Sequence, residues 1–331
     1  MMDEILARPK INLAMQHDWT AFADIVDEAA GLGSGKAMLL SASHVRSKDP
    51  EKAFQLYLHA AEKDIPQAMM EVGQMYLHGT GVARDLAEAE KWFKNASDHH
   101  DPSGLFALGE SYLQGRGVKQ DIPRGVKLLQ DADGHGSGDA KNLLGKLYLR
   151  GQAGFPLNRM NAGDLFRKAK DVNCPEAFYN LAYVDLTTPM RPKVAASRAA
   201  FLLQRGAEIG NSFCMFYYAK CLEEGFGVSP SASQARAWYE RAVPVLEKEA
   251  GEGSTAAEVC YAMCLEKGTG VGQNPRGAAN LYGKAATEGD PVAREWCGEH
   301  GVAFGTGTQP PGAIALLPNS IFKSTASSRE Q

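Results

Sequence analysis

The stretch IPQAMMEVGQMYLHGTGVARDLAEAEKWFKNASDHH, residues 65–100, decides the fold. Pro66 suits the first turn of a helix, where its missing N–H costs nothing. Ala68, Val72, Gly73 and Tyr76 then fall on one face at helical spacing. Gly79-Thr80-Gly81-Val82 stops that helix, because glycine readily takes the left-handed conformation of a helix end. Asp85 follows as an N-cap, and Trp92 stands four residues before Ala96, a large-to-small pairing that lets helices interlock. The spacing predicts a helix A, a Gly-x-Gly turn and a capped helix B.

The same pattern recurs outward from this stretch. Ile65-Pro66 and Asp101-Pro102 stand 36 residues apart, and Cys174-Pro175 follows after 73, two such units; Asp290-Pro291 shares the phase. The turn returns as Gly115-Arg116-Gly117-Val118, Gly225-Phe226-Gly227-Val228 and Gly268-Thr269-Gly270-Val271, and in expanded form as Gly151-Gln152-Ala153-Gly154-Phe155. Asp121, Asn158, Ser231 and Asn274 take the cap position. Leu128/Ala132, Leu165/Ala169, Trp238/Ala242 and Leu281/Ala285 repeat the large-to-small pair. Gly73, Gly109, Gly145 and Gly298 read as close helix crossings. One helical hairpin cannot bury such a face alone, but a stack can.

The repeats divide into units 37–64, 65–100, 101–137, 138–173, 174–210, 211–253 and 254–289, with a half-unit to about 301. Residues 1–36 are expected to carry an N-terminal capping helix over 12–30, with Trp19 and Ala29-Ala30. Residues 302–331 read as an irregular tail, whose apolar run Ala313-Ile314-Ala315-Leu316-Leu317 is able to dock. Two units depart from the pattern. The fifth has Thr187-Thr188-Pro189-Met190-Arg191-Pro192 in place of the glycine turn, and the sixth is longer, with Pro244 inside its second helix, where a bend or restart is expected.

Composition narrows the function. With 44% apolar and 22% charged residues the chain is built to fold. A net charge of −4 and no basic run disfavour nucleic acid. No apolar run approaches the ~20 residues of a membrane span, and the early acids of MMDEILARPK are not those of a secretory signal. A cytoplasmic protein with six reduced, buried cysteines is expected. The surplus of 35 glycines is the punctuation of the repeat.

On these motifs the chain resembles the Sel-1-like repeat family, over roughly residues 37 to 301. Residues Ala68, Val72, Gly73, Tyr76, Gly79, Gly81, Val82, Asp85, Ala89, Trp92, Phe93 and Ala96 carry the likeness most fully. The resemblance implies an all-α fold, a right-handed α/α superhelix of about seven helix-turn-helix repeats related to tetratricopeptide repeats. It also implies an adaptor or scaffold that grips a protein or peptide on its concave face. Secreted members join successive repeats by disulfides; Ala96 and Gly104, or Ala169 and Ala177, stand at those positions here.

Chemistry has little to stand on. Gly31-Leu32-Gly33-Ser34-Gly35-Lys36-Ala37 superficially resembles a phosphate loop, but it lacks the first glycine and the Ser/Thr, and no strand precedes it. Cys260 and Cys264, Cys221, and Cys297 with His300 are spaced as buried small residues rather than as zinc ligands. His99-His100-Asp101 reads as an inter-repeat loop. No local nucleophile–base arrangement supports a hydrolase, so no enzyme, metal or cofactor is expected. The candidate partner surface is the ladder Gln74, Glu110, Lys146, Tyr183, Lys220 and Met263 on helix A. A second ladder, Met70, Phe106, Asn142, Tyr179, Phe216 and Val259, is expected to pack each helix A against its neighbour. Two narrower readings accompany the adaptor: an assembly spacer that self-associates through the tail, and a neutralising partner of a cognate toxin.

Overall fold

A computed structural model describes residues 30–31, 33–116, 118–187, 192–309, 311, 313–317 and 320–323. All regular structure among them is helical. The chain forms two compact units, one up to Ala140 and one from Lys141. The first holds α1 (Gly35–Val45), α2 (Pro50–Ala61), α3 (Pro66–His78), α4 (Leu86–Asp98), α5 (Pro102–Gln114) and α6 (Ile122–Gly134). Helix α7 (Gly138–Arg150) leads into the second, which continues with α8 (Arg159–Asp171), α9 (Pro175–Thr187), α10 (Pro192–Glu208), α11 (Ser212–Glu224) and α12 (Ala232–Gly251). It ends with α13 (Thr255–Lys267), α14 (Pro275–Thr287), α15 (Pro291–His300) and the short α16 (Ser320–Lys323). Within each unit, successive helices pack as antiparallel hairpins, and the A helices of adjacent repeats also touch, as α3 does α5 and α11 does both α9 and α13.

Several hairpins close by one device. Helix A ends on a left-handed glycine: Gly79, Gly115, Gly225 and Gly268 lie at φ 65–72° and donate back into the last turn. The N-cap of helix B then does two things. Its side chain accepts from the first turn, as Asp85 does from Ala87 N at 2.9 Å and Glu88 N at 3.1 Å. Its own N–H donates to a carbonyl near the end of helix A: Asp85 to Tyr76 (3.0 Å), Asp121 to Tyr112 (2.9 Å), Asn158 to Tyr148 (2.9 Å), Ser231 to Leu222 (2.9 Å) and Asn274 to Leu265 (2.8 Å). The cap residue therefore fixes both the start of helix B and its angle to helix A.

The second glycine of the turn sits on the backbone of the preceding helix B. A Cβ at Gly81 would lie 2.1 Å from the Pro50 carbonyl oxygen of α2. Gly227 would meet the Ala196 oxygen of α10 at 2.3 Å, and Gly270 the Tyr239 carbonyl carbon of α12 at 2.6 Å. Side chains complete the interlock. Ala68 and Ala96 are fully buried, and the Phe93 ring lies so close to Gly73 that a Cβ there would meet it at 2.5 Å. Gly145 stands against Phe166 in the same way, at 2.6 Å. Gly298 does not mark a crossing among the described residues: nothing lies within 4 Å of a Cβ built there, whereas Gly73 and Gly145 each meet a ring from the helix B of their own unit.

The fifth unit makes its hairpin without the glycine turn. Asp185 of α9, nearly fully buried, takes both Nε and Nη2 of Arg198 from α10 in a two-pronged ion pair. Thr188 to Arg191 and the helix expected over 12–29 lie outside the described residues. Helix α12 runs unbroken for 20 residues with Pro244 inside it. Residues 302–309 and 313–317 form no helix or strand.

The alanine substitutions of two glycines should part company. Gly81→Ala, with φ at +68° and a backbone atom in the way, should cost about 2 kcal/mol or more. Gly298→Ala, in open space inside a helix, should be neutral or gain up to about 1 kcal/mol. Urea unfolding of the two variants beside the parent checks both.

Candidate functional site: a groove on the A helices and the segment that fills it

The aromatic face of α9 and α11 is set by repeat geometry. Tyr179 and Tyr217 stack at 5.3 Å between centroids and 29° between planes, and Tyr179 also leans on Phe213 at 5.7 Å. Both rings are buried, and their hydroxyls face a segment of the chain more than 130 residues beyond Tyr179 in sequence. The Tyr179 hydroxyl donates to the Ala315 carbonyl (2.7 Å) and accepts from the Leu317 N–H (3.1 Å). The Tyr217 hydroxyl donates to the Leu317 carbonyl at 3.4 Å. Two phenols thus satisfy three backbone groups of a segment that forms neither helix nor strand. Burial pushes both phenols well above their usual pKa, so each keeps the proton it donates.

Apolar anchors accompany these bonds. Leu316 and Leu317 are buried, the latter completely. Phe322 stacks on Tyr217 at 6.0 Å, meets Phe226 edge-on at 5.2 Å, and lies beneath the Lys220 ammonium at 4.8 Å from its ring centre. The start of the segment is held by polar contacts. Gly305 N donates to Thr287 Oγ1 (3.0 Å), Arg294 donates to the Gly307 carbonyl, and Arg150 donates to Gln309 Oε1. Gln309 Nε2 in turn donates to Asp290 Oδ2 at 3.0 Å. Burial lowers the Arg150 pKa and raises that of Asp290. The tail, which the sequence offered as a contact for another protomer, lies here on helices of its own chain.

The ladder expected from the sequence is only partly brought to this groove. Lys220 is 7% exposed and covers Phe322. Tyr183 is half-buried and packs against the same core. Lys146 is engaged by Glu176 at 3.2 Å, beside Asn142, which donates to the same carboxylate oxygen at 2.9 Å. That lysine, ahead of the cost of burial, holds the Glu176 pKa down. In the first unit Gln74 is half-buried, and Glu110, also half-buried, accepts from Gln114 at 3.0 Å. The second ladder does pack inward at Asn142, Phe216 and Val259, yet its member Tyr179 also reads the tail. Tyr217 escaped sequence reasoning altogether. Its signal was a departure: the equivalent positions are Glu71, Ala107, Leu143, Asn180 and Cys260.

This surface can hold a peptide backbone with apolar side chains. No disulfide joins the six cysteines, all of which are buried. Burial pushes the Cys221 and Cys264 thiols up to about 12, far from the reactive thiolate. Among the described residues no group of three or more His, Cys, Asp and Glu is placed to hold a metal ion, and no helix is long and apolar enough to cross a membrane.

Comparison with known proteins supplies a family. The Sel1 repeat model matches residues 32–65, 66–101, 102–132, 138–173, 212–243 and 256–290, more than half of the chain, and passes over the fifth unit. A Sel1 repeat protein from Oxalobacter formigenes is similar in structure, with a TM-score of 0.54 at 25% identity, over 75% of this chain and 98% of that one. The antigen c5321 of uropathogenic Escherichia coli, which displays an SLR fold, is 27% identical over 86% of this chain, with a TM-score of 0.47; the chain covers 60% of it. The chitin synthase regulator SKT5 of Saccharomyces cerevisiae is 37% identical over 78 residues, 24% of this chain and 11% of the regulator. The chain therefore spans less than two thirds of these last two relatives.

Lys220 makes the groove sensitive to pH. Burial lowers its pKa to about 8. The folded state then binds fewer protons than the unfolded chain between about pH 8 and the ordinary lysine range. Stability from this group is present above that range and lost as pH falls through 8. Lys220→Met should therefore stabilise the protein at pH 7 by about 1–3 kcal/mol, the lower end reflecting the lost contact with Phe322. The advantage should vanish near pH 10.5; denaturant unfolding at the two pH values reads the difference.

Proposed function

Because the chain belongs to the Sel1 repeat family, we propose that it is a non-catalytic adaptor that binds an extended segment of a protein partner along the A helices of consecutive repeats. One observation carries this reading: a segment of the chain's own tail lies on α9 and α11, its backbone met by Tyr179 and Tyr217 and its Leu316 and Leu317 side chains buried. Side-chain phenols that pair with backbone groups leave sequence choice to the pockets, as in other modes of extended-peptide recognition. The proposed contact residues are Lys146, Tyr183 and Lys220 in the unit that holds the groove, and Gln74 and Glu110 in the other unit. Neutralisation of a cognate toxin would be one special form of the same binding.

The cytoplasm is the proposed compartment, in keeping with six buried cysteines that no disulfide joins. The test substitutes Lys146, Tyr183 and Lys220 together by alanine. Affinity capture from native lysate, read by mass spectrometry, should lose the partner retained by the parent chain, while the helical signal in circular dichroism stays. Unchanged capture sinks the assignment of this surface.

A further inference from the structure

We propose that the groove on α9 and α11 is an exchangeable peptide site, and that residues 313–317 and 320–322 occupy it as a tethered competitor of the partner segment. The proposal rests on the adaptor reading and names the chemistry of what is bound. The partner segment is extended and uncharged, with two adjacent large aliphatic residues and an aromatic residue five positions after the second.

The chemistry follows from what the occupant shows. Leu316 and Leu317 define the adjacent aliphatic pair, and Phe322 the aromatic position. Lys220 over the Phe322 ring favours an aromatic there over an aliphatic side chain, since a cation gains from a π face and not from a methyl group. The three bonds from Tyr179 and Tyr217 go to backbone atoms of Ala315 and Leu317, so any extended chain in that register makes them. Nothing in the recognition depends on the occupant being covalently joined to the groove.

Tyr179 has Phe213 and Tyr217 of the helices against its ring, so the groove has aromatic contacts of its own besides those to the tail. The connection from α15 is pinned at Gly305, Gly307 and Gln309, which holds the segment beside the groove whether or not it fills it. A tethered occupant acts at an effective concentration of about a millimolar, so it weakens an incoming peptide by the ratio of that concentration to its own dissociation constant.

The test keeps the full chain and uses a fluorescein-labelled peptide of sequence PGAIALLPNSIFK, residues 311–323. Fluorescence anisotropy should show Leu317→Asp and Phe322→Ala chains binding it at least tenfold more tightly than the parent, because their own tails are weakened as competitors. Adding Tyr179→Phe to Leu317→Asp should cost fivefold or more, and a peptide with aspartate in place of its phenylalanine should not bind. Equal affinity for parent and both tail variants, or no binding to any of them, overturns the proposal. So does collapse of the helical signal on either tail substitution, since the segment is then a fixed part of the fold. Lysate capture that persists while the peptide fails leaves the adaptor reading standing and removes only this one.

Discussion

Everything in the fold hangs on how closely the Gly-x-Gly turn approaches the helix before it. Gly81 rests on the Pro50 carbonyl, Gly227 on that of Ala196 and Gly270 on that of Tyr239, each at a distance that excludes a Cβ. That contact sets the spacing of one hairpin on the next. The N-cap N–H that donates into the end of helix A sets the angle within each hairpin. With both fixed by backbone, side chains need only be large or small in alternation, which is why alanine fills so many fully buried positions. The fifth unit shows what replaces the turn when it is missing. The buried Asp185 and the guanidinium of Arg198 join α9 to α10 by two hydrogen bonds, and a charge with nowhere else to go serves as the clamp.

The repeat was legible because its determinants are local. Caps, turn glycines and large-to-small pairs act over fewer than ten residues, so each unit announces itself in its own stretch of sequence. The all-helical stack of hairpins, the N-caps at Asp85, Asp121, Asn158, Ser231 and Asn274, and the buried cysteines follow from that. Proline in a helix carries less information than its reputation: Pro244 neither ends nor restarts α12. Gly298 taught the reverse, that a glycine in phase has a crossing to serve only where the helix B of its own unit packs against it.

The groove was less legible because its determinants are distant. Tyr217 is bonded to a residue 100 positions away and Tyr179 to one 138 away. Periodicity sorts residues into faces, and it placed Lys220 and Tyr183 on a candidate face from spacing alone. It cannot say that a tail will return to that face, or that Lys146 will instead be taken up by Glu176 from the next A helix. Tyr217 was visible only as a breach of its column, a tyrosine where other units hold Glu71, Ala107, Leu143, Asn180 and Cys260. In a repeat protein such a breach is informative because packing already accounts for the rest of the column.

The two ends of the tail use what the repeats leave over. Asp290 caps α15 through Oδ1, which accepts from Ala293 N at 2.9 Å, as its counterparts cap other A helices. Its Oδ2 is not needed for that task, and it accepts from Gln309. The Tyr179 hydroxyl is likewise surplus to a ring that packs by its faces, and it supplies one donor and one acceptor to the passing backbone. Lys220 stands at the position of Glu110 and Lys146 in other units, and only here does its ammonium meet an aromatic ring. A scaffold whose spacing is fixed by backbone contacts can vary such atoms from unit to unit without disturbing the stack. The bonds to the tail are therefore concentrated where the unit from Lys141 has spent that freedom on tyrosines and a lysine.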